Sequence, residues 1–339
     1  MSQKKVLVLG GTGAMGQHLV PMLAEKGYSV DVVYNSFDEM KTESPNVRYI
    51  KANAKDWQFI DDILKNAYDG IVDFLIYPSN ELVFKLPKFL DNTGHYIYFS
   101  SYRIYANEEH PIKETSPRLL DVSDDKLLRL SDDYCIYKAK GEDLLHWTNK
   151  RNYTIVRPSI TYSLMRYQLV TLEARETVGR AFTGRKVLLP EQARFVQGTM
   201  TWGGDAAKML SRLLFNEKAL AETFTVSTSE HHTWGEIAEY YRDICNLHVE
   251  WVDKEIYLQC IAPSKYLLVY RWQLDYDRLF DRIIDNSKIL AATGLKQSDL
   301  MPLYDGLKYE IGRAPKDFAW HPDSVMDNMI EQLSKSKRN

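Results

Sequence analysis

At 339 residues, the chain is longer than one ordinary domain and has room for about two. Its 45% hydrophobic and 26% charged residues are typical of a globular protein and exclude a disordered, collagenous or coiled-coil chain. The 43 basic and 46 acidic residues leave a net charge of −3, so no electrostatic excess favours nucleic acid or an acidic membrane as a partner.

The cysteines and apolar runs bear on the cellular compartment. The chain has three scattered cysteines without a C-x-x-C pair, which are Cys135, Cys245 and Cys260. This pattern disfavours a disulfide framework, and His231-His232 lacks a third ligand at recognisable spacing, so we expect no metal. The run Val6–Leu9 is too short for a signal peptide, and no stretch of about 18 apolar residues predicts a transmembrane helix. We therefore expect a cytoplasmic protein.

Short apolar runs alternate with amphipathic segments in the first half of the chain. The runs predict strands over Val6–Leu9, Val30–Tyr34, Val47–Ile50, Ile71–Tyr77, Tyr96–Ser100 and Thr154–Arg157. The segments between them predict helices over Met15–Lys26, Trp57–Ala67, Leu82–Leu90 and Tyr134–Asn149. This alternation indicates βαβ units, and strands without a polar face are typical of a sheet covered on both sides. We predict an α/β fold with a doubly wound parallel sheet.

The strand–helix rhythm breaks after Pro158. It returns once, in a predicted helix over Asp205–Phe215 and a strand over Thr223–Ser227. We therefore expect residues 1–158 plus about 197–228 to form the sheet domain. Residues from about 159 to 196, together with 229–339, are expected to form a smaller, discontinuous C-terminal lobe.

The first predicted strand runs directly into a glycine-rich turn, Gly10-Gly11-Thr12-Gly13-Ala14-Met15-Gly16, and then into a helix. Glycines in such a turn let the backbone approach a pyrophosphate, and the helix N-terminus adds a partial positive charge. The spacing Gly10-x-x-Gly13-x-x-Gly16 differs from the most familiar dinucleotide fingerprint, but strand, glycines and helix come in the required order. This favours a dinucleotide, NAD or NADP, over a tight turn without a ligand.

A second candidate is the pair Tyr134 and Lys138, which lie one turn apart on one helix face. A phenol with a pKa of about 10 is a poor base at neutral pH, and a nearby ammonium favours its phenolate. Because the chain has 22 tyrosines, an exposed helix pair is the alternative. Ser100-Ser101 strengthens the catalytic interpretation, since hydroxyls at the carboxyl end of a parallel strand lie where such sheets bind ligands.

Four segments in this order resemble the NAD-dependent epimerase/dehydratase family of extended short-chain dehydrogenases/reductases. They are the glycine turn, Ser100-Ser101-x-x-Ile104-Tyr105, Tyr134-x-x-x-Lys138 with Glu142, and Arg157-Pro158-Ser159-x-x-Tyr162. The segment Asp285-Asn286-Ser287-Lys288 is similar to the branch containing the chloroplast stem-loop-binding proteins. The resemblance implies a Rossmann sheet and a C-terminal substrate lobe.

The resemblance also implies a role for each matching position. Ser101 would hydrogen-bond the reacting oxygen, Tyr134 would be the general acid/base, and Lys138 would hold the nicotinamide ribose and tune Tyr134. The implied cofactor contacts are Gly10, Gly13, Ala14, Met15, Gly16, Tyr34, Asn35, Asn53, Ala54, Leu75 and Lys138. Among these, Ala14 and Met15 would meet the pyrophosphate, and Asn53-Ala54 the adenine.

Two departures from the family pattern concern the cofactor and the reaction. Tyr34-Asn35 ends the second strand where many NAD enzymes carry an acid, and no arginine replaces it, so neither NAD nor NADP is specified. Tyr102-Arg103 follows Ser101 in place of the Asp-Glu pair of sugar 4,6-dehydratases, which disfavours dehydration and favours hydride transfer.

The resulting hypothesis is a sugar-nucleotide epimerase or reductase that uses NAD(P). Return of the hydride to the other face would make it an isomerase, and cofactor exchange would make it an oxidoreductase. A non-catalytic NAD(P)-binding regulator is an alternative, and an RNA-binding protein is another that the net charge disfavours. The resemblance also implies a homodimer through the Tyr134 helix and a neighbouring helix.

Overall fold

The computed structural model describes residues 3–36, 40–262 and 264–336. The strands are β1 Lys5–Leu9, β2 Ser29–Tyr34, β3 Val47–Lys51, β4 Tyr68–Asp73, β5 Thr93–Phe99, β6 Tyr153–Val156, β7 Ile160–Tyr162, β8 Val187–Pro190, β9 Gln197–Gly198, β10 Met200–Trp202, β11 Glu222–Phe224, β12 His232–Thr233 and β13 Val249–Val252. The helices are α1 Gly16–Glu25, α2 Trp57–Leu64, α3 Ser79–Asp91, α4 Leu119–Val122, α5 Lys126–Leu130, α6 Tyr134–Trp147, α7 Val178–Phe182, α8 Gly203–Leu213, α9 Trp234–Cys245, α10 Lys254–Ile261, α11 Leu267–Gln273, α12 Ser287–Thr293, α13 Leu303–Gly312 and α14 Ser324–Ser336.

A seven-stranded sheet lies at the centre of the first half of the chain. Its strand order is β11-β6-β5-β4-β1-β2-β3, and each neighbouring pair is parallel. The order reverses between β1 and β4, and ligands of doubly wound sheets bind at such a switch point, outside the carboxyl ends of the strands. The predicted α/β doubly wound fold is confirmed.

Two hydrophobic cores cover the two faces of this sheet. Val6 and Val8 of β1 join the core formed with α1, α8 and α12, whereas Leu7 and Leu9 join the core formed with α2, α3 and α6. Successive side chains of a strand point to opposite faces, so an uninterrupted apolar run supplies both cores.

The chain divides into two compact units. Unit 1 comprises 1–161, 201–228 and 285–300, and unit 2 comprises 162–200, 229–284 and 301–339. Residues 285–300 therefore belong with the sheet, which corrects their assignment to the C-terminal lobe. In unit 1, the Asn286 amide donates hydrogen bonds of 3.1 Å to the Ser227 carbonyl and 2.7 Å to Oε1 of Gln297, and Ile289 is buried in the core beside α8.

The fourth strand also differs from the prediction, because it covers Tyr68–Asp73 rather than Ile71–Tyr77. The Asp69-Gly70 pair has the composition of a turn, yet Gly70 pairs with Val6 of β1. The strand ends because a carboxylate oxygen of Asp73 accepts a 3.0 Å hydrogen bond from the amide of Leu75 and turns the chain. This turn brings the residues after β4 to the carboxyl edge of the sheet.

Unit 2 contains two small strand pairs, β8 with β13 and β9 with β12, and most of the later helices. Helix α9 begins with a reciprocal cap in which Thr233 and Glu236 each bond the backbone amide of the other. Within the part of the chain that the structure describes, no helix is both long enough and apolar enough to cross a membrane.

Candidate active site

The glycine turn follows β1 at the switch point. Gly10 has a φ of +78°, which favours glycine, and its amide donates a 2.8 Å hydrogen bond to the Val33 carbonyl of β2. A Cβ on Gly16 would lie 2.4 Å from the carbonyl oxygen of Gly11, so only glycine allows α1 to begin this close to the turn. A Cβ on Gly13 would meet only the Gly10 oxygen, at 3.5 Å.

The predicted pyrophosphate contacts lie where α1 begins. Met15 is the N-cap of α1, and among the described residues it offers no side-chain acceptor for the first amides of the helix. A Cβ on Gly203 would lie 2.5 Å from the carbonyl oxygen of Ala14, so α8 starts directly against the turn. The backbone at Ala14 and Met15 therefore lies at a helix N-terminus suited to an anion.

The ends of β2 and β3 carry the predicted adenosine contacts. Tyr34 is buried and Asn35 is exposed, and Thr12 Oγ1 of the turn donates a 2.8 Å hydrogen bond to the carbonyl of Ser36. Asn53 is exposed, and its side-chain oxygen accepts a 3.0 Å hydrogen bond from the Lys55 amide.

Two of the predicted cofactor contacts lie on the α2–α3 side of the sheet. Ala54 has its side chain in the α2–α3 core, which leaves its backbone for a ligand. A Cβ on Gly10 would lie 3.3 Å from Cδ2 of Leu75, which shows that Leu75 lies beside the glycine turn.

Ser101 follows β5 at the same edge of the sheet. It is buried, and its Oγ accepts a 3.2 Å hydrogen bond from the amide of Arg103, which starts the short 3-10 turn Tyr102–Ile104. The Ser101 hydroxyl, which is predicted to bind the reacting oxygen, is thus fixed by the turn that Ser101 caps.

Tyr134 and Lys138 come from the first turns of α6, which Asp133 caps through a bond from the Cys135 amide. The buried Lys138 ammonium donates a 2.6 Å hydrogen bond to the carbonyl of Phe99, the last residue of β5. The same ammonium lies 5.8 Å from the centre of the Tyr134 ring. The amino end of α6 is thereby held against the carboxyl end of β5.

Arg103 connects Ser101 to Tyr134. Its guanidinium carbon lies 5.1 Å from the centre of the Tyr134 ring, and its Nη2 lies 3.8 Å from a carboxylate oxygen of Asp133. The sequence singled out Arg103 only because Tyr102-Arg103 replaces the acid pair of sugar dehydratases, whereas the structure shows that Arg103 is a second cation beside the phenol.

Asp73 is a residue of this region that the sequence reasoning missed. Its carboxylate lies at the end of β4 and accepts hydrogen bonds of 3.0 Å each from the Tyr96 hydroxyl and the Leu75 amide. Burial raises the pKa of Asp73 to about 6. Burial lowers the pKa of Lys138 to about 8, and the carboxylates of Asp73 and Glu142 oppose that shift. An acid inside the apolar run Ile71-Val72-Asp73-Phe74 was the available signal.

Glu142 and Arg157, both part of the family pattern, form a buried bidentate ion pair. The two hydrogen bonds measure 2.8 and 2.7 Å, and Arg157 donates a third, of 2.9 Å, to the hydroxyl of Tyr105. The ion pair connects α6 to the residue that follows β6. The bond from Arg157 to Tyr105 then connects this pair to the segment after Ser101.

Two buried hydroxyls flank Lys138 without a hydrogen-bond partner among the described residues. One belongs to Ser100, directly after Phe99, and the other to Tyr137, whose ring centre lies 5.7 Å from the Lys138 ammonium. Buried hydroxyls are nearly always satisfied, so these two indicate where a bound molecule would supply the missing partner.

The structure therefore brings the glycine turn, Leu75, Ser101, Tyr134 and Lys138 to one edge of one sheet. The N-terminus of α1, which has no side-chain cap and begins directly against the glycine turn, fits a dinucleotide pyrophosphate.

Known proteins resemble this chain in sequence and in fold. Residues 6–170 match the sequence model of the NAD dependent epimerase/dehydratase family. The chain is 24% identical over 251 residues to the chloroplast stem-loop binding protein of 41 kDa b of Arabidopsis thaliana, covering 70% of this chain and 62% of that protein. It is 27% identical over 164 residues to the UDP-glucose 4-epimerase of Lacticaseibacillus casei, covering 42% of this chain and 46% of that protein.

The fold is shared with solved structures. The UDP-glucose 4-epimerase of Thermus thermophilus, solved with NAD, superposes with a TM-score of 0.67 at 17% identity, over 91% of this chain and 98% of that one. The chain matches less than two thirds of the length of the two curated relatives named above. Residues 6–170, just under half of the chain, are thus similar to the NAD dependent epimerase/dehydratase family.

Proposed function

We propose that this chain catalyses reversible hydride transfer at a carbon-bound hydroxyl of a nucleotide sugar, with NAD or NADP as the hydride carrier. One observation carries the proposal. The buried ammonium of Lys138 is bonded to the carbonyl of Phe99 and lies 5.8 Å from the ring of Tyr134, at the edge of the sheet where the glycine turn also lies.

The proton chemistry belongs to Tyr134. In the oxidative direction its phenolate takes the proton of the substrate hydroxyl, and bound NAD(P)⁺ supplies the acceptor for the hydride that leaves the same carbon. The hydroxyl carbon thereby becomes a carbonyl carbon. The positive charges of Arg103 and Lys138, 5.1 and 5.8 Å from the ring centre, favour the phenolate.

Ser101 stabilises the oxygen on which negative charge develops. Its hydroxyl oxygen accepts a hydrogen bond from the Arg103 amide. The hydroxyl proton therefore points away from that bond and can be donated to the reacting oxygen. Because the bond to the Arg103 amide also fixes the side chain, this donor is positioned before substrate binds.

The cofactor contacts follow from the same edge of the sheet. The amides of Ala14 and Met15 would hold the pyrophosphate at the N-terminus of α1, where Leu75 packs beside the turn. Asn53 and the backbone of Ala54 would contact the adenine.

The substrate class follows from relatives and from one local departure. UDP-glucose 4-epimerases are among the proteins similar to this chain, and Tyr102-Arg103 stands where sugar dehydratases carry an acid pair. These observations support epimerisation, or reduction, over water elimination.

Turnover of nucleotide sugars tests the proposal. Purified chain is incubated with UDP-glucose, UDP-galactose and related nucleotide sugars and with NAD⁺ or NADP⁺, while chromatography follows the sugar and absorbance follows the reduced cofactor. We expect conversion of at least one sugar nucleotide.

The matched variants are Lys138→Met and Lys140→Met, two lysines on the same helix. Lys140 donates to the Ser131 carbonyl, outside the site. We expect turnover to fall by about 100-fold or more in Lys138→Met and to stay near wild type in Lys140→Met. Equal turnover in both variants would contradict the role of Lys138.

A homodimer through α3 and α6 belongs to the same proposal. Helix α3 exposes Val83 and Phe84, with the Phe84 side chain 66% exposed, and α6 ends at the exposed Trp147. Phe84→Asp should shift the sedimentation coefficient from a dimer to a monomer, whereas Leu127→Asp on α5 should not. A wild-type protein that sediments as a monomer would refute the proposed dimer.

A cytoplasmic location is the last part of the proposal. All three cysteines are free thiols, which suits a reducing compartment. Cell fractionation tests it, and recovery of the chain in a secreted or organellar fraction would contradict it.

A further inference from the structure

Helix α3 buries a lysine that neither the family resemblance nor the proposed mechanism uses. Lys85 is fully buried, and its ammonium lies against two aromatic rings, 4.8 Å from the centre of the Trp57 ring and 4.7 Å from that of the Tyr77 ring. Burial lowers the pKa of Lys85, and the carboxylates of Glu81 and Asp73 oppose that shift. A methionine would fill this place at less cost, because a buried ammonium has to give up its hydration.

The ammonium of Lys85 reaches the loop between β3 and α2. It donates a 2.8 Å hydrogen bond to the carbonyl of Lys55, and a carboxylate oxygen of Glu81, one turn earlier on α3, lies 3.7 Å away. Lys55 directly follows Asn53 and Ala54, the two residues proposed to contact the adenine. A side chain of α3 thus holds the backbone of the loop that carries these contacts.

The loop itself is a tight turn. The side-chain oxygen of Asn53 accepts a 3.0 Å hydrogen bond from the Lys55 amide, and the carbonyl of Asn53 accepts another of 3.0 Å from the Asp56 amide. Both polar groups of the peptide between Lys55 and Asp56 are therefore bonded, the carbonyl to Lys85 and the amide to Asn53. The orientation of this peptide, next to Ala54, depends on the Lys85 bond.

The same ammonium also meets the segment after β4. The Tyr77 ring that it faces is buried, and the Tyr77 hydroxyl donates a 3.4 Å hydrogen bond to a carboxylate oxygen of Asp73. Leu75 lies between these two residues in the chain and beside the glycine turn. Lys85 therefore contacts the segments that follow β3 and β4, and both segments carry proposed cofactor contacts.

We propose that Lys85 is a positioning residue that holds residues 53–55 in the conformation that receives the adenosine half of the cofactor; the inference rests on the dinucleotide binding of the proposed function. The bond is charge-assisted and shielded from water, which makes it stronger than an exposed bond between neutral groups. Because Lys85 is fully buried, its effect on the ligand is exerted through the loop.

Cofactor affinity and stability are measured on the same variants. Lys85→Met removes the ammonium and keeps most of the volume, and Lys85→Gln keeps an N–H donor on a shorter side chain. Lys88→Met is the matched control, because Lys88 lies one turn further along α3, 5.4 Å from the same Trp57 ring centre, and pairs with Asp61. Fluorescence titration gives the Kd of NADH and NADPH, and displacement by AMP and by 2′,5′-ADP gives those of the two adenosine halves.

We expect the tighter-binding dinucleotide and its adenosine half to bind about tenfold more weakly to Lys85→Met, because the loop no longer keeps its shape. The affinities of Lys85→Gln should lie between those of Lys85→Met and the wild type, and Lys88→Met should keep the wild-type affinities. The urea midpoint of Lys85→Met should equal or exceed that of the wild type, since methionine gives up no hydration on burial. A role in stability alone predicts the reverse, a lower urea midpoint with unchanged affinity.

Three outcomes overturn the inference and leave the proposed function intact. They are unchanged affinity in both Lys85 variants, equal weakening in Lys88→Met, and a loss for the dinucleotide that its adenosine half does not share. If Lys85→Met does not fold, Lys85→Gln decides alone, and wild-type affinity in that variant overturns the inference. A wild-type protein that binds neither dinucleotide refutes both the inference and the dinucleotide binding on which it rests.

Discussion

The ammonium of Lys138 donates a 2.6 Å hydrogen bond to the carbonyl oxygen of Phe99. Lys138 lies one turn into helix α6 and Phe99 ends strand β5, so this bond ties the amino end of the helix to the carboxyl end of the strand. Ser100 and Ser101 follow Phe99 directly, and Tyr134 lies one turn before Lys138. The bond thus places both proposed catalytic hydroxyls relative to one cation.

Activity should fall as the pH rises through about 8. Burial lowers the pKa of Lys138 to about 8, and only the ammonium form favours the Tyr134 phenolate. Asp73→Asn removes a carboxylate that raises the Lys138 pKa, so the alkaline limb of the kcat/KM profile should move to lower pH.

The control for this profile is Asp91→Asn, at the exposed end of α3. The alkaline limb of the Asp91→Asn profile should match that of the wild-type protein. A profile that stays flat to pH 10, or that does not move in Asp73→Asn, would show that Lys138 does not carry the charge on which activity depends.

Two substitutions in the glycine turn should affect different properties, one the stability of the protein and the other the binding of NAD(P). Gly16→Ala forces a Cβ to within 2.4 Å of a backbone oxygen, so it should lower the free energy of unfolding by about 1–3 kcal/mol. Gly13→Leu meets only one atom, at 3.5 Å, and should leave the free energy of unfolding nearly unchanged while abolishing NAD(P) binding. Urea unfolding measures the first effect and calorimetric titration measures the second. If Gly13→Leu retained its affinity for NAD(P), the glycine turn would not be the pyrophosphate site.

Tyr137→Phe should stabilise the protein in the absence of ligand. The Tyr137 hydroxyl is buried without a partner among the described residues, and such a group costs about 1–3 kcal/mol. Tyr96→Phe is the opposite control, because it removes a hydroxyl that donates a 3.0 Å bond to Asp73. A rise in Tm for Tyr137→Phe and a fall for Tyr96→Phe are expected, and a lower Tm in Tyr137→Phe would contradict the assignment.

Breaking the Glu142–Arg157 pair should destabilise unit 1 strongly. Glu142→Gln leaves the buried guanidinium of Arg157 without its carboxylate, which costs about 3–5 kcal/mol for a buried pair. Asp121→Asn, which removes an exposed partner of Arg118, should cost less than about 1 kcal/mol. Similar urea midpoints for the two variants would show that the buried pair contributes little.

The sequence predicted the local units of unit 1 because their signals are local. The run Val6–Leu9, the glycines after it and the helix that follows are adjacent in the chain, so composition and spacing suffice. The same holds for Tyr134 and Lys138, whose separation by one helical turn guarantees a shared face.

Other features depend on residues that are distant in the sequence. Asn286 bonds Ser227 and thereby draws residues 285–300 into unit 1, and no local pattern indicates that pairing. Likewise, Lys51 comes beside Tyr34 only because β2 and β3 are paired in register. Sequence reasoning missed Asp73 for a related reason, since its hydroxyl partner Tyr96 lies on the neighbouring strand.

The most direct test of the proposed mechanism replaces one hydroxyl. Tyr134→Phe is compared with wild type and with Tyr28→Phe, whose ring packs against Phe215 outside the site. The mechanism predicts that turnover falls by about 1,000-fold in Tyr134→Phe alone, because the proton acceptor is gone, while NAD(P) affinity stays within about twofold. Undiminished turnover in Tyr134→Phe would contradict it.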